Sequence, residues 1–176
     1  ARSIRRKQGK LGDTWYVDEV FVKIQGQQRY LWRAVDQDGD VLDILVTSRR
    51  EKRAAKRFFR KVLKAQGEVP WRLVTDQLKS YGAARQELIP GDEHRPHKDK
   101  GLNNRAELSH QLTRQRERQR RRFKSPGHAQ RFLSAQGPIN NLFRPRRHRM
   151  AAIDYRTARA RAFETWQQVT CAQKTD

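Results

Sequence analysis

The sequence predicts a mixed α/β fold: a five-stranded sheet flanked by helices, with extra helices at the C-terminal end. Three observations carry this expectation. Residues 14–47 hold three strand-like segments joined by short turns, which makes them antiparallel neighbours. From Ala54 the apolar period lengthens from two to that of a helix. Beyond that point helical and extended segments alternate, the pattern of a sheet continued by parallel strands.

In chain order, residues 1–13 are basic and contain glycine, and they read as a linker into the domain. The chain opens on Ala1 and RSIRRKQGK, as expected of a piece cut or processed from something longer. Thr14–Ile24 (TWYVDEVFVKI) is the organising strand, in which only Asp18, Glu19 and Lys23 carry charge. Alternation puts Trp15, Val17, Glu19 and Phe21 on one face and Tyr16, Asp18, Val20, Val22 and Ile24 on the other. Both faces are apolar, so the strand is expected at the sheet centre, covered on both sides. Gln25-Gly26-Gln27 turns the chain into a second strand, Arg29–Asp36. The run from Asp36 to Asp40 (DQDGD) is a turn signal before a third strand, Val41–Thr47.

Ala54, Ala55, Phe58, Phe59, Val62 and Leu63 then form a helical stripe, with Arg and Lys on the opposite face; Gly67 and Pro70 end that helix. Trp71–Thr75 is a short strand leading into Asp76, and Ser80–Ile89 a short helix stopped by Pro90. Residues 92–98 are the candidate fifth strand. A long helix follows over about 104–123, with Asn103 and Asn104 as its caps. Further helices are expected over Gly127–Asn141 and Tyr155–Gln168. The resulting division is a linker (1–13), a core (14–145) and a basic, partly helical extension (146–176). Trp32 and Trp71 are expected in the core, and His94 and His97 on a solvated surface.

Composition narrows the partners. The 176 residues carry 40 Lys and Arg against 19 Asp and Glu, a formal charge of +21. Such an excess repels itself unless a polyanion is near, and nucleic acid is the obvious one. No apolar run approaches a membrane span, and no signal peptide opens the chain. The single cysteine, Cys171, excludes a disulfide framework and fits a reducing cytoplasm.

Each face of the first strand carries one carboxylate among large hydrophobes. An unpaired buried charge costs several kcal/mol, so each needs a counter-charge, hydrogen bonds or a metal ion. Asp18, Asp76 at the end of the fourth strand and Glu107 in the long helix can converge at one sheet edge. Three such acids need cations between them, and oxygen-only ligation suits Mg²⁺ or Mn²⁺. Strand alternation alone does not choose between Asp18 and Glu19.

A resemblance adds to this reading. TWYVDEVFVKIQGQQRYLWRAVDQDGDVLDILVTSRR, VTDQLKSYGAA and LNNRAELSHQLTRQRERQRRRFKS together resemble the catalytic core of bacterial insertion-sequence transposases, closest to insertion-sequence family six. That family's core has the retroviral-integrase, ribonuclease-H-like fold. The resemblance covers roughly residues 13–145, and it implies a D…D…E triad at Asp18, Asp76 and Glu107, which selects Asp18 over Glu19. It also implies two bound Mg²⁺ or Mn²⁺ ions, cleavage and strand transfer of double-stranded DNA at element ends and target, and a homodimer or higher oligomer on DNA. The expected place of work is the bacterial cytoplasm and nucleoid, with no membrane partner.

The family commonly has Lys or Arg seven residues beyond the Glu, and Arg114 stands there, two helical turns on and on Glu107's face. The run from Arg114 to Arg122, six arginines and one acid, is read as phosphate-contacting. Expected DNA contacts are therefore Arg105, Arg114, Arg116, Arg118 and Arg121, with Lys79 and Tyr81 after Asp76. His110, three residues beyond Glu107, is expected to support the acids. Asp76 and Glu107 stand 31 positions apart, slightly fewer than usual in the family. Family members carry an N-terminal helix-turn-helix region, whereas at most thirteen residues precede the core here. The competing readings are a hydrolytic nuclease on the same fold and a non-catalytic, basic DNA-binding remnant.

Overall fold

The computed structural model describes residues 2–7, 11–75, 81, 87–89, 93–96, 110–111, 114–115, 123–145 and 150–171. Strands β1 (Thr14–Ile24), β2 (Gln27–Asp36), β3 (Val41–Thr47), β4 (Arg72–Thr75) and β5 (Glu93–Pro96) form one sheet in the order β3-β2-β1-β4-β5. The first three are antiparallel, and β4 and β5 run parallel to β1. The sheet is therefore mixed and five-stranded, with β1 at its centre, as the doubly apolar pattern of that strand requires. Among the described residues the continuous helices are α1 (Arg2–Lys7), α2 (Lys52–Gln66), α3 (Pro126–Phe143) and α4 (Ala152–Cys171), and residues 81, 87–88, 110–111 and 114–115 are also helical.

Local chemistry sets the antiparallel half. Ile24 pairs with Gln27, leaving a two-residue loop in which Gln25 (φ 52°) and Gly26 (φ 77°) both take positive φ. That geometry matches the twist of the flanking strands, and it explains the glycine. At the next turn the fully buried Asp36 accepts backbone N–H groups from Asp38 (2.9 Å), Asp40 (2.9 Å) and Gly12 (3.0 Å). Its carboxylate replaces the ladder partners that the reversing chain gives up.

The two sheet faces are closed by different helices. Ala54, Ala55, Phe58, Phe59 and Val62 of α2 pack against Trp15, Val17, Trp32 and Leu73. Ala129 and Leu133 of α3 pack with Val22, Ile24, Leu31, Val35 and Ile44 on the opposite face. Burying each large apolar side chain contributes about 1.5–3 kcal/mol before entropy is counted. α3 approaches β3 so closely that a Cβ on Gly137 would lie 3.0 Å from Val41 Cγ1. α4 joins α3 through Phe143, whose ring centroid is 5.1 Å from Phe163 and 5.8 Å from Trp166.

Two expectations are corrected. The N-terminal segment contains a helix, α1, whose Ile4 is buried and whose Arg5 reaches Asp43 at 3.0 Å. A single apolar residue per turn is enough to dock so short a helix, and it gives a weak periodic signal. Trp71 is 60% exposed rather than in the core. It precedes β4, and the Arg72 guanidinium lies 4.7 Å from its ring centroid, an arrangement that keeps the ring favourable at the surface.

β3 is an edge strand, and side chains occupy its outward backbone groups. Asn141 accepts from Val41 N–H (2.9 Å) and donates to Val41 C=O (3.0 Å). Gln130 accepts from Val46 N–H (2.8 Å), and Lys61 donates to Ile44 C=O (2.7 Å). Two amides eleven residues apart on α3 thus stand where a neighbouring strand would pair, which blocks edge-to-edge association. Asn141→Ala is expected to lower unfolding free energy by about 1–2 kcal/mol in urea titrations. It should also promote self-association in sedimentation velocity. An unchanged midpoint would show that water satisfies Val41 equally well.

Candidate carboxylate site

Asp18 sits mid-β1, on the face that α3 covers, with Arg33 of β2 directly opposite. Antiparallel partners share a face, so a buried guanidinium backbone-registered to Asp18 belongs to the same layer. Arg33 is 4% exposed, and burial lowers its pKa to about 10, leaving it cationic at neutral pH. The Asp18 side chain keeps 14% of its surface open to solvent. A strand locked by two packed faces holds this carboxylate rigidly while one edge stays reachable.

His110 completes the described neighbourhood. Its Nε2 lies 3.4 Å from Asp18 Oδ2, and the side chain is almost fully enclosed. Burial pulls its pKa below 6.5; the contact with Asp18 opposes that shift, and the charges of Arg33 and Arg114 add to it. The imidazole is therefore neutral at physiological pH, and it can orient Asp18 without cancelling its charge. Arg114 is exposed, helical and one turn beyond His110. The structure thus brings His110 to Asp18, with Arg114 near enough for its charge to act on the histidine.

Glu19 faces the other way, among the residues beneath α2. Its carboxylate is paired with Arg50 and accepts a hydrogen bond from the Tyr81 hydroxyl. Tyr81 is expected from sequence to contact DNA, and this is corrected: it is fully buried, with its ring centroid 5.5 Å from Trp32 and 6.0 Å from Phe59. Its hydroxyl serves the buried carboxylate. The remaining expected site residues, Asp76, Lys79, Arg105, Glu107, Arg116, Arg118 and Arg121, lie outside the described residues. So do Asn103, Asn104, His97 and most of the expected 104–123 helix. Among the described residues no three His, Cys, Asp or Glu side chains group as metal ligands.

Two features escape the sequence reading. Arg33 interrupts the apolar run from Tyr30 to Val35, and a cation inside such a run is a signal of a buried charge. The Glu19–Tyr81–Arg50 cluster has no comparable signal, because its members lie on three separate segments.

The family described as a DDE domain, of the IS240 transposase group, matches residues 12–146. The chain is 33% identical over 109 residues to the transposase for insertion sequence-like element IS431mec of Staphylococcus aureus strain N315, covering 60% of this chain and 48% of that protein. The transposase for insertion sequence element IS257 in transposon Tn4003, also of Staphylococcus aureus, matches to the same extent. The chain thus spans about half the length of these curated relatives.

In fold it is similar to a chain of the simian T-cell lymphotropic virus intasome solved with PP2A regulatory subunit B56 gamma. The TM-score is 0.61 at 14% identity, over 96% of this chain and 58% of that one. It is likewise similar to the HTLV-2 integrase catalytic core domain in complex with magnesium (trimeric form). There the TM-score is 0.53 at 14% identity, over 77% of this chain and 88% of that one. The expected integrase-like, ribonuclease-H-like architecture is therefore the observed one. With a mixed sheet of that type and a family match across most of its length, the chain belongs to the DDE-domain family of insertion-sequence transposases.

Proposed function

We propose that residues 14–145 form the catalytic core of a DNA transposase, cutting and joining DNA strands at a site built on Asp18, Asp76 and Glu107. The observation that carries this reading is the position of Asp18, a partly open carboxylate on the central strand of an integrase-like sheet. Chain continuity supports the second acid. Thr75 ends β4 paired with Val17, so Asp76 is one residue beyond the rung that adjoins Asp18. Glu107 precedes His110, the residue found against Asp18, by three positions.

The donor set fits a hard divalent cation. Asp18 offers an accessible carboxylate oxygen, the hard donor such an ion takes. Asp18, Asp76 and Glu107 would hold Mg²⁺ or Mn²⁺, and three carboxylates supply enough oxygens for two ions. A cation bound there supplies charge stabilisation for phosphoryl transfer and an activated oxygen nucleophile. The protein's own part is placement. β1 fixes Asp18, His110 stands against it, and Arg114 with the following arginines holds the phosphodiester backbone against the acids. Double-stranded DNA is the substrate class, as element ends and as target, with two or more copies of the chain acting together.

The test uses pre-cleaved duplex ends and a supercoiled target. Mg²⁺-dependent joining is expected for the chain as it stands. Asp76→Asn and Glu107→Gln are each expected to reduce joining by at least about 10³-fold, because charge stabilisation dominates such reactions. Joining that persists in excess chelator, or in either variant, would remove the triad from the mechanism.

A further inference from the structure

The outer face of α2 has no role in the carboxylate site. The helix carries seven cations, Lys52, Arg53, Lys56, Arg57, Arg60, Lys61 and Lys64, and no acid between residues 52 and 66. Five pairs stand at i,i+4: 52/56, 53/57, 56/60, 57/61 and 60/64. Each like-charge pair costs roughly 0.2–0.5 kcal/mol on an isolated helix. Lys52 and Arg53 also sit at the positive end of the helix dipole, where the N-cap Glu51 is a single acid and the first turn holds none. An ordinary solvated face mixes both signs. This one retains repulsion that a polyanion would relieve.

The geometry is ordered. Arg53, Arg57, Arg60 and Lys64 recur at i, i+4, i+7 and i+11, which aligns them as one stripe directed away from the buried Phe58 and Val62. The stripe is about 16 Å long at 1.5 Å per residue. Glu87 takes Lys56 and Arg60, and Asp43 takes Lys61. Among the described residues Arg53, Arg57 and Lys64 have no acidic partner. At the head of the stripe a groove of about 740 Å³ lies between the end of β3 and α2, lined by Arg49, Arg53, Lys56, Arg57 and Arg60 with one acid, Glu51. A second cavity, of about 910 Å³, shares Arg57 and carries the cationic lining on through Lys64 to Arg131 of α3.

We propose that this face is a second duplex-binding surface, taking the phosphodiester backbone of a DNA segment other than the one held at the carboxylates. Asp18 faces the α3 side of the sheet, whereas α2 covers the side of Glu19. The sheet lies between Asp18 and the α2 stripe, and the cationic lining rounds its β3 edge to reach Arg131. The proposal goes beyond the catalytic reading and does not depend on it.

The test is made on the intact chain in chelator without metal, with a fluorescein-labelled 30-bp duplex of arbitrary sequence. The triple variant R53Q/R57Q/K64Q is expected to flatten the dependence of log K on log salt by about 2–3, at about 0.9 per phosphate lost. The control triple K23Q/R156Q/R161Q removes the same charge from exposed positions elsewhere, and it should change the slope by less than about 1. Lysine acetylation read by mass spectrometry supplies a local signal: duplex should protect Lys52 and Lys64 several-fold and leave Lys23 unchanged. Equal slopes for the two triples overturn the proposal, as does acetylation of Lys64 at the same rate with and without DNA. Protection that grows with protein concentration in the absence of DNA also overturns it, since the face would then join copies of the chain. No chemistry is read in these assays. A chain inert toward pre-cleaved ends would sink the catalytic reading and leave this surface standing.

Discussion

Asp18→Asn is expected to abolish Mg²⁺-dependent strand joining, with a loss of at least about 10³-fold, while the fold is retained. Asn keeps the shape and most of the hydrogen bonding but removes the charge that would hold a divalent cation and, through it, stabilise the transition state. His110 remains able to contact the side chain at 3.4 Å, so circular dichroism and the unfolding midpoint should hardly move. Duplex binding in metal-free buffer should hold or tighten slightly, because a negative charge has left a basic surroundings. Glu19→Gln is the matched control, one residue away and on the opposite face, where the carboxylate meets Tyr81 and Arg50 rather than substrate. It should leave joining by the folded fraction within a few-fold of the parent. Equal activity losses in both variants, each still folded, would mean that the two faces of β1 have been misassigned.

Glu19→Leu is expected to produce a large loss of stability. The Glu19 side chain is 2% exposed, and its partner Tyr81 is fully buried. An apolar substitute removes the hydrogen bond from the Tyr81 hydroxyl, at a cost of about 1–3 kcal/mol, and the ion pair with Arg50 goes with it. A total near 3 kcal/mol corresponds to a fall in Tm of roughly 6–12 °C for a chain of this length. Tyr81→Phe alone should cost less, since Arg50 still pairs with the carboxylate. The double variant should lose less than the sum of the two singles by at least about 1 kcal/mol, because both singles remove the same hydrogen bond. Strict additivity, measured by urea denaturation, would show that the hydroxyl–carboxylate bond contributes nothing. The same cycle confirms or removes Tyr81 from the structural side of the molecule, since a DNA-contacting tyrosine would change binding and leave stability alone.

The central strand was legible from its residues because a period of two with large side chains on both faces has one stable setting, between two covering layers. The hairpin, the Asp36 turn and the α2 stripe were legible for the same reason. Each is a local pattern whose period or turn chemistry determines its own geometry. α1 was not, because one buried isoleucine in six residues is no pattern at all. The acids divide along the same line. Asp18 and Glu19 are adjacent, similar in chemistry and both flanked by hydrophobes, so local reading leaves them equivalent, and the family resemblance was needed to choose. What separates them is which helix lies over which face, together with the arrival of His110 at one and of Tyr81 and Arg50 at the other. Those partners come from segments 31 to 92 residues away. Contacts at such distances are set by how the layers pack, not by any periodicity in the chain, so only the tertiary structure decides them.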